Sequence, residues 1–228
     1  MRSLLITMLF SGLIFSVSLQ AQGEDNENNP IAGLKNYDRN FLLMDITHSN
    51  WTDVPNGIDV EGGSRGFNFY FMNDYGFGQS NVSFASGLGL GTDNVFTDGQ
   101  FIETDDSTFL VPLGSEVNYK KNKLATTYLD IPVELRVKTN PGNKGKSFKL
   151  SAGFRAGLLI NNHTKFKTKQ DKIKVHKIDN INSFRYGPLA RIGYGDFLLS
   201  GYMQLNELFK DEGPQIKPWS VGITFNGF

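Results

Sequence analysis

The sequence predicts an all-β fold, an eight-stranded antiparallel up-and-down transmembrane β-barrel. Three observations predict it. About eight segments alternate apolar residues with polar or small ones at a period of two, the repeat of a strand with two unlike faces. The connectors between those segments alternate long and short, as in barrels that cross an outer membrane. Leu4 to Leu19, behind Arg2, reads as an export signal with a cleavage site after Ala21.

Composition narrows the choices further. The chain of 228 residues balances 23 Lys+Arg against 23 Asp+Glu, so bulk charge points to no nucleic-acid partner. It has no cysteine, which excludes disulfides, thiolate metal sites, a cysteine nucleophile and a lipid-anchored cysteine. Beyond the signal no apolar run reaches about 18 residues, so any spanning is by strands, and strands in lipid must close into a barrel. The expected layout is a signal peptide over 1–21, a flexible segment over 22–36 (acidic and Asn-rich from Gly23 to Pro30), and a barrel over 37–228.

The first strand runs from Phe41 to about His48. In the second, Ser64 to Tyr75, Phe67, Phe69 and Phe71 oppose Gly66, Asn68 and Tyr70. The third, Asn81 to Gly91, sets Val82, Phe84, Leu88 and Leu90 against Ser83, Ala85, Gly87 and Gly89. The fourth, Thr127 to Lys138, sets Leu129, Ile131, Val133, Leu135 and Val137 against Tyr128, Asp130, Glu134 and Arg136. In the fifth, Ser147 to Ile160, Phe148, Leu150, Phe154 and Leu158 oppose Lys149, Ser151, Arg155 and Gly157. The sixth, Phe184 to Tyr194, puts Arg185, Gly187 and Arg191 on one face, and the seventh, Phe197 to Leu205, opposes Leu199 and Met203 to Ser200 and Tyr202. In the eighth, Trp219, Val221, Ile223 and Phe225 alternate with Ser220, Gly222, Thr224 and Asn226. Phe228 falls in the polar phase, so either the Asn226-Gly227 step returns it to the membrane rim or Phe225 is the last strand residue.

The export signal, the glycine-rich polar face and the aromatics near strand ends favour the apolar face outward. The polar face then holds a lumen network of Asp130, Glu134, Arg136, Arg155, Arg185 and Arg191. A turn centred near Gly142 places Asp130 opposite Arg155. Eight strands leave room only for side chains, so the expected lumen is plugged. Trp51, Tyr128, Phe184 and Trp219 are expected at the outer rim, and Tyr37, Phe41, Tyr75, Phe77 and Tyr194 at the periplasmic rim.

The long connectors differ in charge. Thr92 to Glu116 is acidic, whereas Asn161 to Lys177 carries Lys165, Lys167, Lys169, Lys172 and Lys174. The basic stretch alternates, which predicts that strands five and six extend as a hairpin, with a bulge or break around Lys177 to Asn182 where the parity changes. Its lysines form a candidate binding patch for lipopolysaccharide phosphates or an acidic protein surface.

Tyr128-Leu129-Asp130-Ile131-Pro132-Val133-Glu134-Leu135-Arg136 resembles a strand motif of small outer-membrane barrels of Bacteroidetes-like, Gram-negative bacteria, a group that includes PorT-like proteins. Gly153-Phe154-Arg155-Ala156-Gly157 is similar too. The resemblance implies an outer-membrane barrel without shared catalytic residues, some of whose members assist a secretion apparatus. His48-Ser49-Asn50 resembles the His-x-Ser-Asn arrangement of the lipid A 3-O-deacylase but lacks the spacer, and adjacent strand residues face opposite ways. No ligand spacing joins His163 and His176 to Asp171 or Asp179, so no metal or other cofactor is expected. The leading reading is a non-enzymatic barrel making structural, adhesion or envelope- and secretion-assembly contacts. The alternatives are an outer-membrane lipid-modifying enzyme and a soluble periplasmic lipid-binding barrel.

Overall fold

The computed structural model describes residues 34–35, 40–78, 80–104, 108–114, 116–139, 146–178, 180–210 and 213–227. The strands among them are β1 (Leu34–Lys35), β2 (Asn40–Thr52), β3 (Arg65–Phe77), β4 (Val82–Phe96), β5 (Gly99–Glu103) and β6 (Thr108–Pro112). They continue with β7 (Lys121–Lys138), β8 (Phe148–Lys167), β9 (Lys172–His176), β10 (Phe184–Tyr194), β11 (Phe197–Met203) and β12 (Lys217–Gly227). Eight of these form one antiparallel ring in the order β3-β2-β12-β11-β10-β8-β7-β4, and β4 pairs back onto β3. The fold is therefore the closed all-β barrel of eight antiparallel strands that the alternation predicts.

Burial follows the two-residue period. In β3 the residues Gly66, Asn68, Tyr70, Met72 and Asp74 are buried, while Phe67 and Phe71 are exposed. In β7 Asp130, Pro132 and Glu134 are buried between the exposed Ile131 and Leu135. The apolar face points outward, since exposed Ile46, Phe84, Leu88, Phe154, Leu199 and Ile223 come from five different strands of the ring. From Leu129 to Val137 the outward face of β7 is apolar over eight residue steps. Steps of about 3.4 Å give about 27 Å along the strand, or about 21 Å in height at a tilt of about 40°, close to the apolar band of such barrels.

One end of the barrel has short turns. Gly195 and Asp196 link β10 to β11, and Gly195 has φ 63, a left-handed conformation that suits glycine. The other end has long connectors, and these fold. β5 and β6 make a two-stranded sheet, and β8 continues past the ring to pair with β9. Trp51, Ile58, Leu110, Leu124, Ile178 and Phe209 share a buried apolar cluster at this end, completed by Val95, Ile181, Leu208 and Ile216. Asn122 Nδ2 donates to the carbonyls of Thr97 and Gly99, and Asn182 Nδ2 to those of Glu207 and Phe209, which joins separate connectors into one cap.

Several local expectations are corrected. Asp130 stands opposite Gly157, and Arg155 opposite Pro132, so the β7–β8 register is two residues from the one centred near Gly142. Trp51 and Tyr128 are buried and share the inward phase of Ser49 and Asp130, so neither lies at the outer rim. Phe41 likewise packs inside the short-turn end, against Leu43, Tyr70, Met72 and Ala85. β9 does end at His176, before a positive-φ Lys177, but β8 has its own irregularity. Its register shifts between Thr127 and Tyr128, skipping Ile160, which turns Asn161 outward and Asn162 inward. The β4–β7 ladder also skips Gly87 and Leu88 against Ile131 and Pro132, where proline offers no N–H. Tyr37, Phe228 and the residues around Gly142 lie outside the described residues.

Candidate functional site: a filled lumen and a basic outer face

Inward side chains from all eight ring strands fill the barrel with one polar network. Arg185 of β10 donates from Nε and Nη2 to the two carboxylate oxygens of Asp130, at 3.0 and 2.6 Å, and from Nη1 to Asp93 at 2.8 Å. Ser49 Oγ donates to the other oxygen of Asp93. Below this, Arg155 Nη1 donates to the Tyr70 hydroxyl at 2.8 Å and lies 4.0 Å from Asp130, with its guanidinium 3.4 Å from the Tyr202 ring centre. Toward the short-turn end Arg191 bridges Asp45 and Glu134, and Thr224 Oγ1 donates to Asp45 at 2.8 Å. Arg136 also holds Glu134, through Nε and Nη2 at 3.0 Å.

Arg136, Arg155, Arg185 and Arg191 thus meet Asp45, Asp93, Asp130 and Glu134, so the network carries no net formal charge. That balance matters because a buried unpaired charge costs several kcal/mol. Glycine makes the room. A Cβ at Gly91 would collide with Arg185 Nη2 and Asp130 Oδ2, and one at Gly157 with Asp130 Oδ1. A vestibule of about 550 Å³ opens at the short-turn end and stops at Glu134 and Arg191. A void of about 20 Å³ beside Trp51, Asp93 and Arg185 lies beyond. The two share no lining residue.

The six residues assigned to a lumen network from the sequence all lie in this interior. Asp45, Asp93, Tyr70 and Tyr202 complete it. Tyr70 and Tyr202 already share the polar phase of their strands, whereas Asp93 reads as part of an acidic loop until β4 is seen to run to Phe96. Asp45 was legible only as the one carboxylate of the first strand.

The lysines of the basic stretch gather on one outward face. Lys165 pairs with Lys174 and Lys167 with Lys172 across β8 and β9, while Lys169 is exposed in the turn. Lys123 and Lys121 of β7 stand opposite Lys165 and Lys167, additions that depend on strand pairing and so escape a linear reading. Burial and then Lys165 push the Lys123 ammonium pKa down, and Lys172 followed by burial does the same to Lys165. Burial, then Lys174, lowers His163. None of these seven lysines forms an ion pair among the described residues.

His48 and Ser49 face opposite ways. His48 Nδ1 meets the Ser64 carbonyl at 3.0 Å, whereas Ser49 is engaged with Asp93 in the lumen. His163 and His176 are cross-strand partners with ring centres 5.7 Å apart, and among the described residues no third metal-ligating side chain joins them.

A closed eight-stranded barrel with an apolar exterior and a charge-balanced, filled interior defines an integral membrane barrel. The outer membrane protein beta-barrel domain model matches residues 32–210, and the chain belongs to that family of the outer membrane. Among solved structures it is similar to Ail, the attachment invasion locus protein of Yersinia pestis, in complex with the heparin analogue sucrose octasulfate. Identity there is 13%, over 82% of this chain and 96% of that one, with a TM-score of 0.33. It is also similar to the translocator domain of the autotransporter NalP from Neisseria meningitidis, at 13% identity over 86% and 91% of the two chains, with a TM-score of 0.23. Likenesses this distant say nothing of function. Comparison with curated proteins gives no match.

Proposed function

We propose that this chain is a non-enzymatic outer-membrane barrel that holds a folded contact platform at the cell surface, for adhesion or for envelope and secretion assembly. The filled lumen carries this reading. Eight strands closed around paired arginines and carboxylates leave no path for a solute, so the useful surface is outside the lumen. The cap supports it, because an apolar core and cross-connector hydrogen bonds fix the long connectors in one shape. The platform faces the exterior, export removes residues 1–21, and the Tyr128–Arg136 strand supports a place among PorT-like members. Lipopolysaccharide is its membrane neighbour.

The native chain contains no cysteine, so single cysteines report cleanly. Cysteine at the exposed Gly62 should react with a membrane-impermeant maleimide on intact cells, and a photo-crosslinker there should trap envelope or surface components. Purified protein should leave planar bilayers non-conducting. Steady channel conductance, or lipid A altered on expression and restored by His48→Ala, would replace this reading with a pore or an enzyme.

A further inference from the structure

Cross-strand partners set the height of the basic face. One row of outward residues runs Ile46, Phe67, Thr92, Thr127 and Asn161 across β2, β3, β4, β7 and β8. Ile46 and Phe67 are more than half exposed, at 56% and 51%, so the apolar band reaches this row. The next row toward the cap contains His48, Arg65, Asn94, Ala125, His163 and His176. Above it come Phe96, Lys123, Lys165 and Lys174, and then Lys121, Lys167 and Lys172. Rows two residues apart are separated by about 6.8 Å along a strand, or about 5 Å in height at barrel tilt. Arg65 and His163 therefore stand about 5 Å above the apolar band, and Lys123, Lys165 and Lys174 about 10 Å. The headgroup layer adds roughly 5–8 Å on each side of the hydrocarbon core, so Arg65 and His163 stand within it and the lysine rows begin at its outer edge, from which their long flexible side chains can reach back to it.

The arrangement is costly for the protein alone. Four Lys–Lys pairs (Lys121–Lys167, Lys123–Lys165, Lys165–Lys174 and Lys167–Lys172) face one another directly across strands. Like charges in that position destabilise a sheet. Burial and then Lys165 lower the Lys123 pKa, and Lys172 ahead of burial lowers that of Lys165, in keeping with that repulsion. Inside the barrel this chain matches every arginine with a carboxylate, yet here it supplies none within ion-pair distance among the described residues. Among the described residues Lys123 Nζ meets Asn94 Oδ1, at 2.5 Å, and the face of Phe96. A shallow hollow lined by Arg65, Phe67, Asn94, Phe96, Lys121 and Lys165 joins the cationic rows to the apolar band.

We propose that the outward basic face of β7, β8 and β9, with Arg65 of β3, binds the phosphate groups of an outer-leaflet glycolipid lying alongside the barrel. The direction of the side chains selects a lipid over a soluble partner. They project radially, as Ile46 and Phe67 do, into the space beside the barrel at the outer edge of the headgroup layer. A polysaccharide or protein arriving from solution would instead meet the top of the cap. The inference rests on the outer-membrane reading with the long connectors outside.

The test uses the mature chain refolded into phosphatidylcholine vesicles and titrated with diphosphorylated lipid A or its dephosphorylated form. Wild type should prefer the phosphorylated lipid. K123Q/K165Q/K167Q/K174Q should weaken that binding at least about tenfold, since each basic residue near such a surface contributes about fivefold before mutual screening. K146Q/K210Q, which removes lysines away from this face, should not weaken it. Equal binding of the two lipids by wild type, or unchanged binding by the quadruple variant, overturns the proposal. Heparin bound in solution through the same lysines, with no preference between the lipids, overturns it in favour of a soluble polyanion. Should the quadruple variant fail to refold, K165Q and the wild-type lipid comparison decide the matter. Failure of the barrel reading is separately visible, because wild type would then not enter vesicles or change gel mobility on heating.

Discussion

Arg185→Met isolates the strongest node of the lumen network. Arg185 is 2% exposed, and its guanidinium makes a two-pronged contact with Asp130 and a third with Asp93. It also lies 4.2 Å from the Tyr128 ring centre. Methionine keeps much of the side-chain length but removes the charge. Asp130, fully buried, would then retain only the 4.0 Å approach of Arg155 and the long bond from Tyr70. Breaking a buried ion pair by removing one partner costs about 3–5 kcal/mol. The partly open Asp93, with its side chain 19% exposed, reaches water and should contribute little to that loss. Adding Asp130→Asn removes the stranded charge, so the double variant should recover part of the stability, with a coupling of about 1–3 kcal/mol. Urea titration in vesicles, read by the mobility of unheated protein on gels, measures both quantities. A loss below about 1 kcal/mol for Arg185→Met, or strict additivity in the pair, would refute the claim that the lumen charges hold one another in place.

Three further outcomes follow from the geometry. Gly91→Ala should destabilise the barrel by about 1–3 kcal/mol through overpacking, whereas Gly62→Ala, whose new Cβ meets nothing within 4 Å, should be near neutral in the same titration. The folded-state pKa of His163 lies below its ordinary value, so its contribution is complete above the unfolded pKa and lost as pH falls through the folded one. Hydrogen exchange of β8 and β9, corrected for intrinsic rates, should therefore show less protection on acidification from about pH 7.5 to 5.5, and His163→Gln should abolish that dependence. Asn182→Ala removes donors to Glu207 and Phe209 and should loosen the cap by about 1–3 kcal/mol while the barrel strands keep their protection.

The period of two carried most of the fold into the sequence, because every ring strand puts unlike chemistry on its two faces. The same parity places Asp130, Glu134, Arg155, Arg185 and Arg191 together without reference to register. It also puts Tyr128 beside Asp130, and the expectation of a rim position there set a compositional habit of aromatics above the phase of the strand. Register was less accessible. Pro141-Gly142-Asn143 marks the β7–β8 turn but does not fix its centre, with Gly145 close behind, and a shift of two residues leaves every side chain on its face and changes only which charges touch. The bulge at Ile160 was hidden for another reason. Leu158, Leu159 and Ile160 are all apolar, so the parity slip leaves no trace until Asn162 turns inward. The cap was the least legible part. Ile58, Leu110, Ile178 and Phe209 come from four separate connectors with no shared period, and only their apolar character marked those connectors as folded. The basic face was half visible, since the lysines of β8 and β9 are local in sequence but Lys121, Lys123 and Arg65 join them only through pairing.

The central claim is that the apolar face of this barrel meets lipid while its charges meet one another inside. Tryptophan placed singly at Ile131, Leu135 or Leu199, in a background with Trp51 and Trp219 replaced by phenylalanine, reports the first half directly in vesicles of acyl-brominated phosphatidylcholine. The account predicts strong bromine quenching at all three positions and little for tryptophan at Lys167, above the apolar band. Absence of quenching at Ile131 and Leu135 in folded protein would put that face in the interior and contradict the account.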